Sequence, residues 1–242
     1  MLPKTHIIIP CYNEAERLPR NELLGFLEAN SWVTMGLVND GSTDDTIGLL
    51  EELQAKHPDR IDVHDLSPNV GKAEAVRRGV LGTVGRDFDW IGYLDADFST
   101  PPEAFEAMLG AAAPQHRVLV GSRVLRAGAN IERSTSRHYV GRVFATVASV
   151  TLHMSLYDTQ CGAKLFERGI VPELFSEPFL TRWLFDLELL MRLRKLVGPE
   201  EFEKIVYEHP LSQWIEKGDS RIRVRDAFAV PYDLMRIRHA YR

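Results

Sequence analysis

Trp90-Ile91-Gly92-Tyr93-Leu94-Asp95-Ala96-Asp97 is a short apolar run that ends on two carboxylates two positions apart. Its length suits a buried strand better than a helix. Three runs of the same kind precede it, at residues 6–10, 33–38 and 61–63. Between them lie three helical patterns, at 23–29, at Thr46–Lys56 behind a capping cluster at 42–45, and at 73–84. Strands alternating with helices predict an α/β fold, with a mostly parallel, Rossmann-like sheet and right-handed crossovers. A fifth strand, Val118–Ser122, follows a helix opened by Pro101 and Pro102. The rhythm then changes. A Gly- and Arg-containing loop near 124–135 leads to a long helix at 136–152 and a short strand at 163–166. A helix at Phe185–Val197, a strand near 204–208 and an amphipathic terminal helix complete the expectation. No repeat, low-complexity tract or linker interrupts the chain, so residues 1–242 read as one domain in two functional halves.

With 242 residues and 45% hydrophobic content, the chain can bury a proper core, which excludes disorder as the main state. Its longest weakly polar run, 143–152, is far short of the roughly 20 apolar residues that cross a bilayer. The N-terminus lacks the ordered zones of a signal peptide, which makes the cytoplasm the expected address. Cys11 and Cys161 are too few for a disulfide framework or a zinc site and are read as reduced. The eight histidines form no ligand cluster. The net charge of −5, which gives no ground for a nucleic-acid partner, conceals a division. Residues 1–114 carry 9 Lys or Arg against 19 Asp or Glu, and residues 115–242 carry 20 against 15. An acidic half suited to a cation thus adjoins a basic half suited to an anion.

In an open parallel sheet, ligands bind beyond the C-terminal ends of the strands. Here each early strand delivers polar residues to that edge. The first runs into Pro10, Cys11, Tyr12, Asn13 and Glu14, and the second into Asn39, Asp40, Gly41 and Ser42. The third runs into Asn69, Gly71 and Lys72, and the fourth into Asp95 and Asp97. Asp95 and Asp97 suit a divalent cation, offering hard oxygens while leaving positions for diphosphate oxygens. Asp87-Phe88-Asp89 has the same spacing but precedes its strand, at the opposite edge, and reads as a solvated turn. No G-x-G-x-x-G follows the first strand and no G-x-x-x-x-G-K-[ST] occurs, which disfavours a dinucleotide enzyme or a P-loop ATPase.

Taken together, Ile8-Ile9-Pro10-Cys11-Tyr12-Asn13-Glu14, Val38-Asn39-Asp40-Gly41-Ser42-Thr43-Asp44, Asn69-Val70-Gly71-Lys72 and Leu94-Asp95-Ala96-Asp97 resemble family 2 glycosyltransferases of the GT-A fold. Asp158-Thr159-Gln160-Cys161-Gly162-Ala163-Lys164-Leu165-Phe166 and Phe185-Asp186-Leu187-Glu188 resemble the dolichyl-phosphate β-glucosyltransferase and dolichol-phosphate mannose synthase branch. The resemblance spans about residues 6 to 225. It implies an inverting transferase that moves a hexose from a UDP-glucose or GDP-mannose class donor with Mg²⁺ or Mn²⁺. Residues of about 1–114 would hold the donor and about 115–242 the acceptor. Asn39 departs from the family's usual aspartate at that place, and the chain shows no hydrophobic anchor. The acceptor implied by the branch is a polyprenyl phosphate, which would put the enzyme peripherally at the inner membrane face. A soluble hydroxyl acceptor is the alternative within the family. A nucleotide-sugar sensor without turnover is the alternative outside it, and would be expected to lack one of the carboxylates present here.

By the resemblance, Pro10, Tyr12, Glu14 and Asp40 surround the nucleoside, with Asp40 accepting from the base and Glu14 from the ribose; helix capping is the other reading of both acids. Lys72 reads as a phosphate contact or as an ordinary solvated lysine. Asp97 is the expected principal metal ligand, and Asp95 contacts metal or ribose. Asp158 and Gln160 form the floor for the sugar or acceptor, or a simple turn. Arg123, Arg137, Ser220 and Arg221 fall where the lipid-phosphate branch meets phosphate, or are surface ion-pair residues. Asp186 and Glu188, two apart on a helix, do not share a face, so one is expected to point inward. Asp186 is chosen, as general base toward a hydroxyl or as an orienting group beside a phosphate that is already anionic. Cys161 reads as a packed side chain.

Overall fold

The computed structural model describes residues 2–132, 156–217 and 224–241, with the side chains of 224–228 excepted. The expected helix at 136–152, and with it Arg137, Ser220 and Arg221, lie outside the described residues.

The first four strands are β1 (Thr5–Cys11), β2 (Val33–Asp40), β3 (Ile61–Leu66) and β4 (Trp90–Leu94). They are joined by α1 (Arg20–Ala29), α2 (Thr46–Lys56) and α3 (Lys72–Leu81). After α4 (Ala104–Ala111) come β5 (Val118–Ser122), β6 (Asn130–Glu132) and β7 (Ala163–Glu167). A 3₁₀ turn, Arg168–Ile170, then leads into α5 (Val171–Phe175), followed by α6 (Phe185–Val197) and α7 (Pro199–Ile205). The chain closes with β8 (Val206–Pro210), β9 (Gln213–Ile215) and α8 (Val224–Ala240).

The main sheet runs in the order β3-β2-β1-β4-β7-β5-β8, and all its pairings are parallel except those of β7. Because strand side chains alternate between faces, β1 feeds two cores at once. Ile7, Ile9 and Cys11 pack with the α1, α2 and α4 residues Leu23, Leu50 and Phe105. Ile8 packs on the other face with Val76 of α3 and Leu187 of α6. The chain builds outward from β1 to β3, then returns to place β4 on β1's other side. That reversal opens a crevice beyond the C-terminal ends of β1 and β4.

The structure differs from the sequence reading in several places. The strand expected at 163–166 is β7, inserted antiparallel between β4 and β5. Lys204 lies in the last turn of helix α7 instead of opening a strand. α3 stops at Leu81, with Thr83 Oγ1 donating to the Val80 carbonyl. The expected loop near 124–135 contains β6, which pairs with β9 in a separate two-stranded sheet. Asp87 and Asp89 form the solvated turn expected of them, paired to the Lys4 ammonium and the Lys4 backbone N–H.

His6 is enclosed in the sheet's face, stacked on Phe88 at 4.8 Å with Nδ1 against Thr34 Oγ1 at 2.7 Å. Burial drives its pKa from 6.5 to about 4. The unfolded chain therefore takes the proton first, so stability is full above about pH 6.5 and falls as pH drops toward 4. The slope approaches about 1.4 kcal/mol per pH unit for this single group. Urea denaturation across that range should show the loss in the wild type and a flatter curve in His6→Gln. Parallel curves would reject the assignment.

Candidate active site

The crevice is lined by turns whose geometry the sequence enforces. β4 ends at Leu94, and the turn after it closes with Phe98 N–H donating to the Asp95 carbonyl. Phe98 sits at φ 48°, an unfavourable angle for an aromatic residue, and its ring is fixed in the core at 1% exposure. Asp97 Oδ1 accepts from Ser99 N–H at 2.8 Å, and Asp95 N–H donates to the Gly162 carbonyl. A Cβ on Gly162 would lie 2.2 Å from Asp95 Oδ2, so glycine is required where β7's lead-in passes under that carboxylate.

Lys72, the first residue of α3, places Nζ 2.5 Å from Asp95 Oδ1 and 5.7 Å from the Phe185 ring centroid. Burial opposes its charge, but Asp95, Asp186 and Asp97 outweigh that and hold its pKa above the usual lysine range. Lys72 is therefore an ordered cation of the site, and the reading as a solvated lysine falls. Burial, and next the charge of Asp95, raise the Asp97 carboxyl above its ordinary range. Two carboxylates crowded in this way suit a cation. Among the described residues no third Asp, Glu, His or Cys joins them, so the remaining coordination positions would fall to ligand oxygens.

The β1 and β2 loops are tied together beside this pair. Asn13, at φ 51°, donates its N–H to Ser42 Oγ and accepts Thr43 N–H at 2.8 Å. Glu14 is buried, with its N–H on Thr46 Oγ1, while Pro10 and Tyr12 are half-buried at the end of β1. Neither Glu14 nor Asp40 caps a helix, since the residues preceding α1, α2 and α3 are Pro19, Asp45 and Gly71. Asp40 nonetheless has a structural duty: its carboxylate accepts from Val70 N–H, Gly71 N–H and Asn69 Nδ2. Truncating it would release the 69–71 loop as well as any base contact. Asn39 donates to Asp65 Oδ1 at 2.6 Å and accepts Ser42 N–H. An aspartate at 39 would set two carboxylates against each other there, which accounts for the amide in this chain.

On the other side, Asp158 binds Arg123 through Nε at 2.6 Å, Nη2 at 2.8 Å and the backbone N–H. Burial disfavours the charge on Arg123, but Asp158 overcomes it and drives the guanidinium's pKa up. Most of that charge is therefore spent inside the protein. Gln160 Nε2 is buried with no partner among the described residues, a donor available to a hydroxyl. Cys161 is fully buried, and burial raises its thiol's pKa, in keeping with a packing role.

The expectation that only one acid of α6 points inward is wrong. Asp186 and Glu188 do face different ways, but both are buried, because α6 is covered on two sides. Asp186 Oδ1 accepts from Tyr93 Oη and from Lys164 Nζ, with Lys164 fully enclosed. Glu188 accepts from Arg192, Tyr241 Oη and Leu180 N–H. Lys164 and Tyr93 are partners that the sequence reading missed; a lysine between apolar neighbours at 163–166 was the available signal.

The profile described as glycosyl transferase family 2 matches residues 6–175. The chain belongs to glycosyltransferase family 2. Among its relatives, a dolichyl-phosphate beta-glucosyltransferase of Trichomonas vaginalis is 31% identical over 96% of this chain and 70% of its own length. One of Drosophila melanogaster is 35% identical over 80% of this chain and 63% of its own. Among solved structures, glucosyl-3-phosphoglycerate synthase from Mycobacterium tuberculosis superimposes with a TM-score of 0.68 at 15% identity, covering 99% of this chain and 80% of that one. Mannosyl-3-phosphoglycerate synthase from Rubrobacter xylanophilus gives 0.69 at 18%, covering 98% and 73%. The expected GT-A architecture is thus the observed one, and the chain is a glycosyltransferase.

Proposed function

We propose that this family 2 enzyme transfers glucose from UDP-glucose to a polyprenyl phosphate of the dolichyl kind, with inversion at the anomeric carbon. The reading is supported by the shared name of the relatives, which match 96% and 80% of this chain. The observation that carries it is the state of Asp186. Its Oδ1 already accepts two hydrogen bonds, from Tyr93 Oη and from the enclosed Lys164 Nζ, so the carboxylate is engaged by protein partners. That suits an acceptor needing no deprotonation, since a phosphate monoester is anionic near neutral pH.

Asp95 and Asp97 would hold Mg²⁺ or Mn²⁺, which when bound neutralises the diphosphate and stabilises it as a leaving group. Glu14, Asp40, Tyr12 and Pro10 would enclose the nucleoside, with Asp40 also keeping the 69–71 loop in place. Lys72 supplies a further cation toward the phosphates. Gln160 Nε2 would meet a sugar hydroxyl, while Asp158 fixes Arg123 and the turn beneath. An acceptor phosphate oxygen attacks the anomeric carbon from the face opposite UDP. The new carbon–oxygen bond forms as the bond to the β-phosphate oxygen breaks, and that oxygen leaves with the electron pair. Among the described residues no helix is long and apolar enough to cross a membrane. Release of nucleoside diphosphate from a panel of UDP and GDP sugars, with manganese and a short polyprenyl phosphate, tests the reading. UDP-glucose should turn over only when the acceptor is present. Turnover with simple alcohols alone would overturn it.

A further inference from the structure

The segment that enters α6 carries Arg182 to the tip of α3. A Cβ on Gly71 would lie 2.8 Å from Arg182 Nη2 and 2.9 Å from Nε, so the guanidinium fills the space a side chain at 71 would need. Gly71 itself sits at φ +90°, which also favours glycine. Nη2 reaches Asn69 Oδ1 at 3.4 Å, and although burial raises the Asp40 carboxyl's pKa, the positive charge lies near enough to oppose that rise. Arg182 is thereby seated against the 69–71 loop while its residue remains exposed.

Several other cations of the described residues have their charges answered. Lys72 is on Asp95, Arg77 and Arg78 are on Glu74, Arg123 is on Asp158 and Arg192 is on Glu188. Among the described residues Arg182 has no carboxylate partner, and one long contact to an amide oxygen leaves most of its donors unspent. A guanidinium held at the mouth of a crevice, with its fork unengaged, suits a phosphate oxygen. The carboxylates of Asp95 and Asp97 repel such a group until a cation covers them.

We propose that Arg182 is an anion-binding residue of the active site that takes a substrate phosphate, either the donor's diphosphate or the acceptor's phosphate. This deepens the transferase reading and rests on it. The test uses the full chain with Arg182→Ala and Arg182→Lys. Calorimetry with UDP, uridine and pyrophosphate in manganese probes the donor side. The KM for a short polyprenyl phosphate, with UDP-glucose saturating, probes the acceptor side. If the donor's phosphate is the ligand, Arg182→Ala weakens UDP and pyrophosphate by about ten-fold to a hundred-fold and leaves uridine unchanged. If the acceptor's is, UDP is unaffected and the acceptor KM rises by a similar factor. In either case lysine restores part of the loss, keeping the charge but not the fork. Uridine weakened as much as UDP would show that Arg182 merely braces the 69–71 loop. No change in any arm, like equal weakening, overturns the proposal. A wild type that binds pyrophosphate through Arg182 yet turns over no UDP-glucose would keep the phosphate site and reject the donor.

Discussion

Asp97→Asn is expected to bind UDP with the same affinity whether manganese or a chelator is present, and to transfer glucose at least about 10³-fold more slowly than the wild type. The size follows from the several kcal/mol that a divalent cation contributes to stabilising developing phosphate charge, at about 1.4 kcal/mol per decade of rate. Asparagine separates charge from architecture, because its amide oxygen can still accept the Ser99 N–H that closes the turn. Half-buried beside Asp95, Asp97 holds its proton to higher pH than an ordinary aspartate, so proton and cation compete for it. The metal-dependent gain in UDP affinity should therefore be full above that raised pKa and shrink as pH falls through it. Calorimetry of UDP with manganese and with chelator, at several pH values, reads both effects. Wild-type affinity indifferent to chelator, or metal dependence preserved in Asp97→Asn, would remove the metal role from this pair.

Asp97 was legible from sequence because position along a strand carries the information. A carboxylate just after a buried run in a parallel sheet must lie at the ligand-binding edge, which also separates Asp95 and Asp97 from the similarly spaced Asp87 and Asp89. The loops after β1, β2 and β3 were legible for the same reason. Strand direction was not: alternation at 163–166 reports which residues are buried, not which way the chain runs. Residue partnership over long separations was not legible either. Nothing in the sequence assigns Lys164 a partner, and only the packing of α6 against β4 and β7 closes it over Asp186. Asp158 and Arg123 were both expected near sugar or acceptor, but nothing in their spacing shows that each is the other's partner. Arg182 gave no signal of its own, because what marks it is the empty space above a glycine more than a hundred residues away.

The buried Asp186–Lys164 pair also changes how the acceptor question must be asked. Asp186→Asn alone leaves the fully enclosed Lys164 ammonium without its counter-charge, and should cost about 3–5 kcal/mol of stability. Lys164→Met alone strands Asp186 and should cost a similar amount. The double variant Asp186→Asn/Lys164→Met removes both charges, keeps an amide oxygen for Tyr93 Oη, and should recover most of the loss. Urea denaturation of the four proteins measures this as a coupling between the two positions. Additive losses would mean that the pair is not the closed unit described. With the fold secured, the double variant isolates the chemistry. If the acceptor is a polyprenyl phosphate, its oxygen arrives deprotonated and transfer should persist within about ten-fold, since only the orienting charge has gone. A hydroxyl acceptor would instead forfeit the ~10² to 10⁴-fold typical of general base catalysis. Assays with UDP-glucose against a short polyprenyl phosphate and against simple sugar alcohols therefore distinguish the two. A double variant that is folded, binds UDP and yet loses about 10³-fold in transfer to the phosphate would reject a purely orienting role for Asp186, and wild-type transfer to the alcohols alone would end the phosphate reading.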